Sequence, residues 1–341
     1  MMKRVMRYIM CSLFLLVCFG VNSNVQAATF AKGADVSWVP AMESKGYVWY
    51  DKYGVRKDVL SILKDDFGIN AIRLRVFVNP SGDIGSGWCD KANTLNMAKR
   101  ANALGMDVMI DFHYSDTWAD PANQKIPAAW SGYDFNQLMT AVYNYTYDVM
   151  RSLTQAGIYP KWVQVGNETN NGMLWEYGRA SSNMKNFAWL INCGYDAVKK
   201  VSPNTKVIVH LANGDNNTLY KWMFDGLRNN GAKYDVIGMS LYPSTSNWQT
   251  LANNTYNNMQ SMVARYGKEV MLCEIGIDYA SPDIAKAFVK EMNNKVKAVS
   301  NSKGLGVFYW EPEAYPDFNG GYKLGACNNN GRFTVALEGF K

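Results

Sequence analysis

Eight short apolar segments recur along the chain, their starts 30 to 55 residues apart, and few folds can absorb that rhythm. They are ADVSWV (34–39), AIRLRVFV (71–78), DVMIDFHY (107–114), WVQVGNE (162–168), KVIVHLA (206–212), VIGMSLYP (236–243), EVMLCEIG (269–276) and GVFYWEPE (306–313). Runs this short and this rich in β-branched residues read as strands buried on both faces. The stretches between them read as helices. After Asp134, a candidate N-cap, Phe135, Leu138, Met139, Val142, Val149, Met150 and Leu153 recur at helical spacing. Ser281-Pro282-Asp283 opens another helix, and Gly68, Gly105, Gly157 and Gly267 stand where C-caps are expected. Eight strands alternating with helices predict an α/β chain, a closed (β/α)8 TIM barrel forming a single domain. An open doubly wound sheet is the competing arrangement, but no G-x-G-x-x-G follows the first strand.

The first 27 residues stand apart from this pattern. Lys3, Arg4 and Arg7 precede the apolar CSLFLLVCFG, and Val25-Gln26-Ala27 offers small or aliphatic residues where a signal peptidase reads. The apolar run is too short to span a bilayer comfortably. Residues 1–27 are therefore expected to be a cleaved signal peptide and residues 28–341 the folded domain, exported to a secreted, periplasmic or cell-surface location. Leu15-Leu16-Val17 before Cys18 are bulky where lipoprotein processing needs a small neighbour, which favours cleavage after Ala27. Without Lys3, Arg4 and Arg7 the formal charge falls from +6 to +3; with no basic run, this argues against a nucleic-acid partner. Cys89, Cys193, Cys273 and Cys327 remain, with no C-x-x-C pair suited to zinc or redox chemistry. A Cys89–Cys327 bridge is the pairing expected, with buried thiols at Cys193 and Cys273.

In a barrel of this kind the C-terminal ends of the strands build the active site. Those ends carry Arg73 and Arg75, His113, Asn167-Glu168, His210, Tyr242, Glu274 and Trp310-Glu311, and both histidines of the chain are among them. Each has a structural alternative: a satisfied core histidine, an ion-pair partner, a packed tryptophan. Arg73 and Arg75 are expected on opposite faces of their strand, leaving at least one as an ion-pair partner only. Glu311 and Glu313, flanking Pro312, are expected in a solvated loop. Asn167-Glu168-Thr169 also matches a glycosylation acceptor, though one poorly accessible at a strand end. Glu168 and Glu274 resist the structural reading best. Each interrupts an apolar strand, the fourth and the seventh, and a buried carboxylate is costly unless it is paired. Two carboxylates across a barrel mouth are what glycoside hydrolysis needs, one as proton donor and one as nucleophile or base.

Longer motifs sharpen this reading. KGADVS (32–37), AIRLRVFVNPSG (71–82), DFHYSDTWADPANQKIPAAW (111–130), YNYT (143–146), VGNETNNGMLW (165–175), VIVHLANG (207–214) and GLGVFYWEPE (304–313) follow one another in order. Through them the chain resembles the arabinogalactan endo-β-1,4-galactanases of glycoside hydrolase family 53. The resemblance implies a retaining hydrolase of β-1,4-galactan acting through a covalent glycosyl-enzyme. Glu168 takes the place of the general acid/base and Glu274 that of the nucleophile, with carboxyl groups about 5–5.5 Å apart. Their surroundings are then expected to push the two pKa values in opposite directions. Substrate-binding places fall to Asp35, Arg73, His113, Asp116, Trp118, Asn167, His210, Tyr242 and Trp310. Of these, Arg73 would keep Glu274 ionised, Asn167 would bond the sugar 2-hydroxyl, Tyr242 would orient the nucleophile and Trp310 would floor the cleavage point.

After the nucleophile the chain reads EIGIDYASPDIAKAF, shorter than the loop that helps some family members hold calcium. The resemblance therefore implies neither calcium nor another cofactor here. A monomer is expected. Two alternatives stay open: a retaining hydrolase of mannan or xylan on the same architecture, and a carbohydrate-binding barrel without catalysis.

Overall fold

Six of the eight expected strands begin at the anticipated residue, and together the eight close a parallel ring. The computed structural model describes residues 29–80, 82 and 85–341, so the expected signal peptide lies outside the described residues. The strands are β1 (Ala31–Asp35), β2 (Ala71–Val76), β3 (Asp107–Phe112), β4 (Trp162–Val165), β5 (Lys206–Leu211), β6 (Val236–Leu241), β7 (Glu269–Ile275) and β8 (Gly304–Trp310). Each pairs in parallel with its neighbours, and β1 pairs with both β2 and β8 to complete the barrel. The first segment is offset: β1 starts three residues early and ends at Asp35, and Val39 and Pro40 already belong to the short helix α1 (Val39–Ser44).

Helices cover the outside: α2 (Val59–Phe67), α3 (Lys91–Ala103), α4 (Phe135–Gln155), α5 (Ala180–Val201), α6 (Asn217–Asn229), α7 (Trp248–Tyr266) and α8 (Pro282–Lys297). Asp134 caps α4 in a full capping box with Gln137. Gly68 and Gly267 end α2 and α7 in the left-handed conformation at φ 71° and 65°, where a side chain would be strained. Ser281 occupies the N-cap position of α8 without a side-chain cap bond, and Pro282 at the first turn starts the helix instead. After β8 no full helix forms; the 3-10 segment Val335–Phe340 packs on α8 in its place.

Inside the ring the layers change character with height. The floor is apolar: Met109, Trp162, Ile208, Met271, Cys273 and Phe308 pack together. Gly33 makes room for Phe308, since a Cβ there would sit 2.2 Å from its ring. Above the floor, inward positions turn polar at Asp35, Arg73, Arg75, Asp111, Gln164, His210 and Glu274, all buried. The expected Cys89–Cys327 bridge is not formed. Cys89 lies 3.8 Å from the Ser37 carbonyl near the β1 end, whereas Cys327 packs in the segment that follows β8, and all four cysteines are free thiols.

Candidate active site

The polar layer is built around two arginines on one strand. Arg73 and Arg75 do not face opposite ways: residues two apart on a strand share a face, and both guanidinium groups are buried against Asp35. Arg73 Nη1 meets Asp35 Oδ2 at 2.5 Å, and its Nη2 lies 2.9 Å from Asp111 Oδ2 and 2.8 Å from Glu274 Oε1. Arg75 Nη1 meets Asp35 Oδ1 at 2.8 Å and Glu311 Oε1 at 2.6 Å. Burial alone would raise the pKa of Asp35, but Arg75 and Arg73 outweigh it and hold the carboxyl below its ordinary value.

Glu168 stands just past β4. Gly166 turns the chain at φ 87°, and a Cβ there would strike Thr169 at 2.7 Å. Glu168 itself is held at φ 44°, a left-handed conformation that costs a non-glycine residue about 1–2 kcal/mol. Its pKa is pushed up to about 8, first by burial and then by the Glu274 charge, with the Ser240 hydroxyl and the field of Arg73 opposing. Asn167 is fixed beside it: Oδ1 accepts from Arg73 Nη2 at 3.0 Å and Nδ2 donates to the Ala119 carbonyl at 2.8 Å.

Glu274 projects from β7. Arg73 holds its Oε1, and the Tyr242 hydroxyl donates to Oε2 at 2.7 Å. Burial raises this carboxyl too, with Arg73 and the Tyr242 bond opposing. The expected opposite shifts are therefore not found. Both carboxyls are raised, and the asymmetry lies in partners: Glu274 has the direct ion pair and Glu168 does not. A carboxyl at about 8 remains protonated near neutrality, and one held by a guanidinium favours the anion.

Both carboxylates line one pocket of about 460 Å³ at the barrel mouth, together with Trp118, Asn167, Tyr242 and Trp310. Trp118, Trp310 and Trp38 surround the Arg75 guanidinium, with ring centroids 4.7, 5.0 and 5.8 Å away. Tyr322 packs edge-on against Trp310 at 5.0 Å. The site thus combines a carboxyl that burial pushes towards its protonated form, a second carboxyl paired with a guanidinium, and broad indole faces.

A family model described as glycosyl hydrolase family 53 matches residues 31–287 and 280–340. The chain belongs to glycosyl hydrolase family 53. An arabinogalactan endo-β-1,4-galactanase of Humicola insolens is 35% identical to it over 89% of this chain and 94% of the relative. An endo-β-1,4-galactanase of Bacillus subtilis (strain 168) is 32% identical over 89% of this chain and 73% of the relative. Among solved structures, the Ignisphaera aggregans GH53 catalytic domain superposes with a TM-score of 0.82 at 32% identity, over 92% of this chain and 95% of that one. A xylanase catalytic core at 15% identity and a TM-score of 0.61, covering 92% of this chain and 97% of that one, shares the fold alone.

In this family 53 barrel the residues expected from sequence fall into two groups, with Asp116 apart from both. Trp118, Asn167, Glu168, Tyr242, Glu274 and Trp310 line the pocket. Asp35, Arg73, His113 and His210 are buried behind it, where they hold the lining residues or one another. His113 Nδ1 accepts from the Ala119 amide at 3.0 Å, which places its proton on Nε2, 3.0 Å from Asp111 Oδ2. Asp116 organises its loop, accepting from the amides of Asn79 and Ala128 at 2.8 and 2.7 Å. Glu311 and Glu313 are fully buried, not solvated, because the segment after β8 folds over them. Burial pushes Glu311 up to about 7 despite Arg75, and holds Glu313 well above the carboxylate range.

Sequence reasoning passed over Asp111, Gln164 and Ser240, and left Arg75 without a role at the pocket. Asp111 carried a readable signal, a charge at an inward position of DVMIDFHY. Gln164 and Ser240 carried none, since a neutral polar residue in a strand invites no question.

Proposed function

We propose that the chain is an endo-acting, retaining hydrolase of β-1,4-galactosidic bonds in galactan and type I arabinogalactan. One observation carries the mechanism: Glu168 and Glu274 share a pocket, and only Glu274 bears the Arg73 ion pair. Family membership and the galactanase names of the relatives support the substrate.

In the first step the Glu274 carboxylate attacks the anomeric carbon as the glycosidic C–O bond breaks. The departing oxygen takes the Glu168 proton. In the second, the Glu168 carboxylate removes a proton from water, whose oxygen displaces Glu274 from the anomeric carbon. Each carboxyl ends as it began. Asn167, held by Arg73 and the Ala119 carbonyl, meets the sugar 2-hydroxyl, and Trp310 supports the sugar ring. Arg73 and Tyr242 keep Glu274 ionised and aimed. We also assign the chain to an exported location, with its signal cleaved near Ala27, on the strength of the leader's charge and apolar run.

The test is a panel of galactan, mannan, xylan and cellulose, digested by the protein and by a Glu274→Ala variant. Galactan is expected to be cut to short oligosaccharides by the first alone. Preferential cleavage of mannan or xylan would overturn the specificity, and full activity in the variant would overturn the site.

A further inference from the structure

A second concave surface lies outside the barrel mouth, between the loop that follows β3 and the first turns of α4. The stretch IPAAWSGYDF (126–135) builds one side of it. Pro127 precedes the 3-10 turn Ala128–Trp130, and Asp134 caps α4, so Tyr133 is left between two turns with 37% of its surface exposed. Along α4, Asn136, Thr140 and Asn144 recur every four residues and therefore stand in one row, and all three are exposed. With Trp130 and Tyr145 behind them, they border a cleft of about 550 Å³, larger than the pocket that holds Glu168 and Glu274. That volume falls within the ~300–1,000 Å³ range of small-molecule sites.

The lining suits a neutral ligand. Among the described residues no Lys or Arg borders the cleft, and its one carboxylate, Asp134, is engaged in capping α4, accepting from the Gln137 amide at 2.9 Å. What remains is aromatic faces, amides and a hydroxyl. A sugar ring pairs a patch of C–H groups, which rests on an aromatic face, with a rim of hydroxyls that need donors and acceptors. The cleft is also continuous with the active-site pocket. The loop that carries Trp118 and Asp120 along the pocket goes on to carry Trp130 and Tyr133 along the cleft. Asp116 clamps its two halves by accepting from the Ala128 amide. Underneath, Trp130 packs edge-on against Tyr145 at 6.1 Å, Tyr145 Oη donates to the Phe77 carbonyl, and Phe77 packs edge-on against Trp118 at 5.7 Å. One row of aromatic residues thus runs from the cleft floor to the pocket wall.

We propose that this cleft is a second glycan-binding site, and that it holds a further stretch of the galactan chain being cut. The choice of galactan rests on the function proposed above, whereas the glycan class rests on the cleft's own lining. A polymer long enough to reach both places is held twice, and the second contact forms at the high effective concentration set by the first. A short oligosaccharide that fills only the pocket gains nothing from the cleft. The site therefore favours long chains over the fragments that cleavage releases.

The experiment places Tyr133→Ala, Tyr133→Phe and the pair Asn136→Ala with Asn144→Ala in the unmodified protein and in the Glu274→Ala background. Binding is read in that background as electrophoretic retardation in gels containing galactan, xylan or mannan. Turnover is read on galactan and on an aryl β-1,4-galactobioside, which fills the pocket alone. Losing one aromatic face costs about 2- to 10-fold in binding. Tyr133→Ala and the asparagine pair are expected to weaken galactan retardation and to raise KM on galactan by about that factor. Turnover of the aryl substrate should stay within about twofold, and Tyr133→Phe, which keeps the ring, should match the unmodified protein. Galactan retarded and cut to the same degree in Tyr133→Ala overturns the cleft and leaves the active site standing. An equal loss on both substrates also overturns it, since Tyr133 would then act through the pocket. A dimer in sedimentation velocity that Tyr133→Ala dissolves gives the cleft to a second copy of the chain and overturns the glycan. Retardation and cleavage of xylan or mannan, with none of galactan, overturn the substrate reading and the galactan assignment of the cleft with it.

Discussion

Arg73 Nη2 lies 2.8 Å from Glu274 Oε1, and the same nitrogen lies 3.0 Å from Asn167 Oδ1. One guanidinium therefore sets the relative position of the carboxylate proposed as nucleophile and the residue next to the proposed acid/base. It does so while also engaging Asp35, Asp111 and Gln164. A planar fork can hold such a set, whereas an ammonium cannot. Arg73→Lys, with its charge intact, is expected to lose about 10²–10³-fold in kcat/KM. It should also melt earlier, since buried ion pairs broken on one side cost about 3–5 kcal/mol. Steady-state kinetics and thermal melts check both.

The roles of the two carboxyls separate under an added nucleophile. Glu274→Ala with azide and an activated aryl galactoside should yield the α-galactosyl azide, because azide replaces the missing enzyme nucleophile in a single displacement. Glu168→Ala should yield the β-azide, because azide then intercepts the glycosyl-enzyme. Proton NMR of the products distinguishes the anomers, and the reverse pairing would exchange the assignments.

In the proposed mechanism Glu168, pushed up to about 8, must be protonated for the first step, and Glu274 must be ionised. The kcat/KM profile is therefore expected to be bell-shaped with an alkaline limb near pH 8. The same shift acts on stability. A carboxyl whose folded pKa exceeds its unfolded value makes the folded state bind the extra proton, so its contribution falls as pH rises from the unfolded value near 4.5 towards 8. Glu168→Gln should melt above the unmodified protein at pH 8, by a few degrees for each ~1 kcal/mol relieved. The difference should shrink at pH 5.

The Tyr242 hydroxyl donates to Glu274 Oε2 at 2.7 Å and so favours its anion. Tyr242→Phe is expected to move the acidic limb of the profile upward and to lower kcat about 10–100-fold, in line with the loss of one hydrogen bond to a charged group. A limb left in place would mean that Arg73 alone sets the state of Glu274.

Gly33 predicts a purely structural effect. Alanine there would press its Cβ against the buried Phe308 ring, with backbone and neighbours fixed by the barrel. Gly33→Ala is expected to cost at least ~1–3 kcal/mol in denaturant unfolding, with KM unchanged in the protein that folds.

Much of this was legible in the sequence, for physical reasons. Strands buried on both faces must be apolar throughout, so the barrel announced itself, and Glu168 and Glu274 stood out as charges in such runs. Arg73 and Arg75 were misassigned to opposite faces although their spacing of two places them on one. The burial of Glu311 and Glu313 was not legible, because it depends on an irregular segment after β8 with no periodicity to betray its path. Gln164 and Ser240 were silent for a different reason. Their importance lies in which atom faces which, and that is fixed only by neighbours on other strands.

The seam of the ring has a temporal consequence. Asp35, which anchors both arginines, sits at the end of β1 opposite Trp310 on β8, and its carbonyl accepts the Glu311 amide at 3.0 Å. The first strand made by the ribosome is thus completed by the last. A nascent chain that has already emitted Glu168 and Glu274 still lacks the wall that holds Asp35 and Arg75 in place. Such long-range pairing is slow to form, and catalytic competence should arrive abruptly, once β8 and the Glu311 turn have emerged, rather than accumulate with length.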